Sequence, residues 1–163
     1  MTEPENSNND VWRPHVTVAC VVADRDRYLM VEEEVNGCLA YNQPAGHLDD
    51  FESLQEAAIR ETREETGWTV ELTHLIGVHQ WRSKEHGDVV VRFSFAARPL
   101  SHDPHQPLDR GIRRALWLTR EDIASLGERL RSPMVLLSID EWLGGQRLPL
   151  SVVTSLMPGA GVS

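Results

Sequence analysis

Apolar and polar positions alternate in blocks that read as strands, then one helix, then more strands. Val16 to Ala23, running Val-Thr-Val-Ala-Cys-Val-Val-Ala, is a short β-branched apolar run and reads as a buried strand. Asp24 to Arg27 is a tight polar connection, and Tyr28 to Glu32 returns as a second strand. Asn36-Gly37 marks a further turn. Ser53 to Thr66 changes to helical composition, with Ser53 placed to cap its start and Gly67 to end it. Val70 to Trp81 and Val89 to Arg98 are strand candidates joined by the polar turn Ser83 to Asp88. Pro99 to Asp109 holds three prolines and two histidines and reads as a loop, followed by a strand over Arg114 to Leu118. Thr119 opens a helix carried by Ile123 to Leu130. Ser132-Pro133 supplies a cap and a first-turn proline for a last helix that stops at Gly144-Gly145. Mixed strands with one central and two late helices predict an α/β (α+β) fold of sandwich type.

The chain of 163 residues suits one domain, here residues 11–150, with residues 1–10 as a disordered acidic tail and 151–163 as a C-terminal tail. No apolar run approaches the roughly 20 residues of a membrane span, and the N-terminus lacks the basic start and apolar centre of a secretory signal. Cys20 and Cys38 are the two cysteines, without metal-ligand spacing, so a reduced cytoplasmic setting is expected. A net charge of −9 speaks against nucleic acid or membrane partners, both polyanions.

Seven acidic residues fall between Asp49 and Glu65. At about 100° per residue, Glu61, Glu64 and Glu65 share roughly one quadrant of the helix. Like charges at that spacing repel by about 0.2–0.5 kcal/mol per pair. A hard divalent cation reverses the sign, since Mg²⁺ takes carboxylate and phosphate oxygens. The stretch from Gly46 to Trp68 has the form Gly46-x5-Glu52-x7-Arg60-Glu61-U-x-Glu64-Glu65-x-Gly67-U, with U a bulky apolar position that Thr62 fills as a departure. It resembles the signature box of the Nudix hydrolases, which cleave diphosphates joined to another moiety. The resemblance implies an α/β/α sandwich with a mixed sheet. It implies Mg²⁺, with Mn²⁺ as substitute, on Glu61, Glu65 and Glu64, with the Gly46 carbonyl as a further ligand. Glu64 is alternatively the base that orients water, and Glu52 and Arg60 tie the loop to the helix.

Further segments, among them Pro14 to Val22, Asn42 to His47, His79-Gln-Trp81, Arg131-Ser-Pro133 and Gly145 to Arg147, are similar to the NudJ-type phosphatases. That similarity implies release of orthophosphate from nucleoside di- and triphosphates and from hydroxymethylpyrimidine diphosphate. A nucleotide-sanitising or ADP-ribose-type pyrophosphatase is the alternative enzyme, and a non-catalytic ligand sensor the alternative class. Arg92, on one face of an alternating strand, is a candidate phosphate clamp. His47 is a candidate phosphate or water contact, and Trp81 and Tyr41 are candidates for stacking on a base. Asp109 is either an extra metal ligand or base, or a residue capping the turn before Gly111. The expected partner is a small phosphorylated molecule; neither monomer nor dimer is favoured.

Overall fold

The computed structural model describes residues 11–83 and 87–157. The expected N-terminal tail, the tip of the Ser83–Asp88 turn and the last six residues lie outside them. Seven strands form a mixed sheet: β1 (His15–Asp24), β2 (Arg27–Val35), β3 (Cys38–Asn42), β4 (Ala45–His47), β5 (Trp68–Arg82), β6 (Val89–His102) and β7 (Ile112–Thr119). The main order is β3-β2-β1-β6-β5, with β4 added on β1 and β7 on β2. β1 and β6 run parallel and the other pairs antiparallel. β1 pairs with β2 only through Ala23 and Asp24, while its first half pairs with β4. The strands therefore fall into two wings, β4-β1-β6-β5 and β3-β2-β7, that meet at one corner and part beyond it.

β1 is apolar on both faces because both faces are covered. Val18, Cys20 and Val22 pack with Phe95, Leu75 and the helix residues Ala57 and Ala58. Val21 on the opposite face packs with Ala96, Ile76, Val135 and Ile139. The first cover is α1 (Leu54–Thr66). Ser53 caps it through a reciprocal bond pair with Glu56, and Gly67, left-handed at φ 72°, closes its last turn onto the Arg63 carbonyl. The second cover is α2 (Arg120–Ser125) with α3 (Met134–Leu143). Leu150 and Val153 also pack on the first core, and the Val153 carbonyl accepts from Gln55, so the ordered chain continues past position 150.

Three expectations change. The segment from Pro99 is not loop until Asp103, because Pro99, Ser101 and His102 still pair with Val70, Thr69 and Trp68. A bulge between Thr69 and Val70 accommodates the proline, which has no N–H to give. The helix expected over Ile123–Leu130 stops at Ser125 and continues as a 3₁₀ turn, Gly127–Arg129, since Gly127 takes φ 56°. Pro133, not Ser132, occupies the cap position before α3, and the Ser132 hydroxyl is buried without a partner. Both cysteines are free, with Cys20 buried against the Ala58 carbonyl. Among the described residues no helix is long and apolar enough to cross a membrane.

Candidate active site

Arg60 organises the box from the centre of α1. Its Nε and Nη2 donate to the two oxygens of Glu52 at 2.9 and 2.7 Å, a bidentate pair. Nη1 donates to Glu61 at 2.9 Å and Glu64 at 3.0 Å, and Nη2 reaches the His47 carbonyl at 3.2 Å. Glu52 also accepts from the Asp49 amide at 2.7 Å. The loop after β4 is thus tied to the helix by one side chain. The bonds from Arg60 hold the Glu52 carboxyl below its usual range.

Gly46 has a separate reason. A Cβ there would stand 2.1 Å from Glu61 Cδ, so only glycine lets that carboxyl lie against the β4 backbone. Burial, more than the neighbouring Glu64 and Asp109, pushes the Glu61 carboxyl up, and Arg60 works against it. Glu61, Glu64 and Asp109 each offer an oxygen, and these lie within 4.8 Å of one another. Asp109 arrives there because its amide donates to the Glu64 carbonyl at 3.1 Å. A hard oxygen donor set on this scale fits a divalent cation of the Mg²⁺ type.

Glu65 does not lie with that group. It is half-buried, accepts from the Ala45 amide at 2.9 Å, and desolvation pushes its carboxyl up to about 8. The packing of β4 over the helix turns it inward, which helical angles alone do not reveal. Beyond it stands Arg92 on β6, 7% exposed, with Nε and Nη1 buried and unpartnered. Burial lowers its guanidinium to about 10, against the opposing pull of Glu65 and Glu33.

The remaining candidates separate. Tyr41 is in the second core cluster, its hydroxyl donating to Glu32 at 2.6 Å, so its ring packs and has no face free for a base. Trp81 is partly buried opposite Val90, on the sheet face that carries Arg92. His47 is exposed and meets His15 at 3.3 Å. Gly67 ends α1.

Sequence reasoning missed Glu33 and Arg131, an ion pair 3.0 Å apart. Burial raises the Glu33 carboxyl, with Arg131 and then Arg92 opposing. It also missed His79, which bonds Glu141 at 2.8 Å and Ser94 at 3.3 Å beside Arg92. Glu33 sits in the run Glu32-Glu33-Glu34, which reads as a polar edge, and its one signal is the bulge where β2 meets β7.

Residues 13–137 match the NUDIX domain. The chain belongs to the Nudix family. It is a hydrolase of phosphoric anhydrides, and it is 43% identical over 143 residues to Phosphatase NudJ of Escherichia coli (strain K12), covering 88% of this chain and 92% of that one. Phosphatase NudJ of Shigella flexneri matches to the same extent. Among solved structures, a NUDIX hydrolase from Nitrosomonas europaea superposes with a TM-score of 0.86 at 38% identity, over 88% of this chain and 97% of that one. The NUDIX domain of Shewanella oneidensis NrtR, solved with ADP ribose, has a TM-score of 0.65 at 18% identity, over 88% and 99% of the two chains, and shares the fold.

Proposed function

We propose that this Nudix hydrolase is a Mg²⁺-dependent phosphatase that removes the terminal phosphate of nucleoside di- and triphosphates and of small pyrimidine diphosphates such as hydroxymethylpyrimidine diphosphate, releasing orthophosphate. The observation that carries the reading is the meeting of Glu61, Glu64 and Asp109 within 4.8 Å, with Arg92, its Nε and Nη1 buried and unpartnered, in electrostatic reach of the adjoining Glu65. The phosphatase name of the 43% identical relatives supports the choice of product.

Glu61, Glu64 and Asp109 would hold the cation, with the Gly46 carbonyl alongside and Glu65 beneath them, bonded to the Ala45 amide. When bound, the cation neutralises phosphate charge and acidifies a water. Arg60 holds Glu61 and Glu64 in place through its shared Nη1, so their carboxylates do not have to be collected at each turnover. Glu64, the more exposed of the two, is the carboxylate that takes the proton from the attacking water. The free Nε and Nη1 of Arg92 donate to phosphate oxygens, replacing the hydration those N–H groups lack in the folded chain.

The test is product analysis with GTP in ¹⁸O water, stopped at low conversion. Orthophosphate and GDP are the expected first products, with GMP arising in a later, separable step. Pyrophosphate and GMP formed together would overturn the terminal-phosphate assignment in favour of a nucleotide-sanitising pyrophosphatase.

A further inference from the structure

Two sets of buried polar atoms without partners lie on the two wings, and they differ in kind. On the β1–β6 wing, Arg92 presents Nε and Nη1, and Thr17, its register partner on β1, presents its hydroxyl. The guanidinium N–H groups only donate, and the hydroxyl is able to donate beside them. On the other wing, Glu33 Oε1 and Asn42 Oδ1 are buried and unpartnered, and both accept. Glu33 pairs with Ala40 and Val31 with Asn42, so Glu33 and Asn42 project from the same face as diagonal neighbours, about 7–8 Å apart.

Arg131 Nε stands 3.0 Å from Glu33 Oε1 but out of hydrogen-bonding alignment. It holds the carboxylate by charge and leaves that oxygen's lone pairs free. The Arg131 amide is itself anchored on the Tyr41 carbonyl at 2.9 Å, which fixes the pair to β3. Arg92 lies within electrostatic reach of both sides: Glu65, Arg131 and Glu33 all act on it, and Glu65 in turn feels Glu61, Glu33 and Asp109.

A ligand that satisfies both sets is anionic where it meets the first and carries N–H groups where it meets the second. We infer that Glu33, held by Arg131 and seconded by Asn42, recognises an amino group on the heterocycle joined to the diphosphate, and so selects amino-substituted over oxo-substituted rings. The inference rests on the phosphatase reading and deepens it. An ionised carboxylate offers no proton, so an oxo group in the amino position sets two acceptors against each other. A site built to receive an N–H discriminates strongly against the analogue that lacks it, because its own buried polar atoms then stay unpaired.

The test measures kcat/KM on matched pairs, CDP against UDP and ADP against IDP, with methyl diphosphate as a substrate that has no ring. The wild-type chain is expected to favour the amino member of each pair by about tenfold or more. Glu33→Gln, whose amide can turn either a donor or an acceptor to the ring, lowers the amino members most and brings each ratio within about threefold. If Glu33→Gln does not fold, Glu33→Asp reads the same ratio with the charge drawn back by one methylene. Methyl diphosphate hydrolysed by a wild-type chain that treats both members of each pair alike overturns this inference and leaves the phosphatase reading intact. A Glu33 variant that slows both members by one common factor also overturns it. Failure of the wild-type chain on every diphosphate, methyl diphosphate included, removes the phosphatase reading and this inference with it.

Discussion

Replacing Gly46 by alanine tests whether the box depends on one close contact. The added Cβ would fall 2.1 Å from Glu61 Cδ and 2.2 and 2.3 Å from its two oxygens, where ordinary contact begins near 3.4 Å. Gly46 has no positive φ, so alanine fits its backbone and the penalty is steric. The obstructing group is the far end of a flexible side chain, so it yields: the carboxyl moves by about 1.3 Å and gives up its 2.9 Å bond from Arg60. Losing that one partly exposed bond costs about 1 kcal/mol, a fall of roughly 2–4 °C in Tm for a chain of this size. A displacement of about 1 Å in a group that positions the reaction costs on the order of 10²-fold in turnover. Gly46→Ala is therefore expected to lose about 10²-fold in kcat and to need more Mg²⁺ for half-maximal rate, with little loss of stability. Steady-state rates across a metal titration, beside thermal unfolding in chelator, measure both. Turnover within twofold of wild type at equal metal would refute the reasoning, as would a collapse in Tm beyond about 10 °C.

Hydrolysis should stop in excess chelator and return when Mg²⁺ or Mn²⁺ is added, and full activity in EDTA after dialysis would rule out the metal role of the carboxylates. The Glu65 carboxyl is raised from its ordinary range to about 8, so its uncharged form is favoured by folding. Its contribution to stability is present below about 4.5 and is lost as the pH climbs through about 8. In chelator, Glu65→Gln should therefore gain Tm over wild type as the pH goes from 5 to 8, and a Tm difference flat with pH would count against this. Glu64→Gln, which removes the proposed base, should lose about 10²–10⁴-fold in turnover, and wild-type turnover would return Glu64 to a solvated helix face. Arg60→Ala strips the shared cation from Glu52, Glu61 and Glu64, and should cost about 1–3 kcal/mol in urea unfolding as well as most of the activity; undiminished stability would place the loop's anchor elsewhere.

Local signals were legible and long-range ones were not. Ser53, Gly67 and the spacing of Glu61 and Glu64 define α1 from within a few residues, so its ends and its outward carboxylates could be read directly. Glu65 could not, because what buries it is β4, a strand placed by its pairing with Val18 and its neighbours on β1. Asp109 is brought to the carboxylates by a backbone bond to Glu64 across 45 positions of chain, which leaves no mark on either segment. Tyr41 reads from the sequence either as a base-stacking candidate or, as strand aromatics more commonly are, as a packed ring; it packs in the second core cluster, its hydroxyl donating to Glu32 on the adjacent strand. Glu33 falls just past the expected strand Tyr28 to Glu32, and the bulge after Glu32 that sets it apart forms only when β2 pairs with β7.

The narrow seam between β1 and β2 has a consequence for how such an enzyme diversifies. Two residue pairs, Ala23 with Tyr28 and Asp24 with Arg27, join the wings along β1 and β2. The box loop and Arg92 hang on one side of that seam, Glu33 and Asn42 on the other. Glu33 and Asn42 belong to neither core cluster, so substitutions at these two positions can be sampled by selection while the core that carries the box stays packed. A lineage can change diet while the cutting edge is inherited intact.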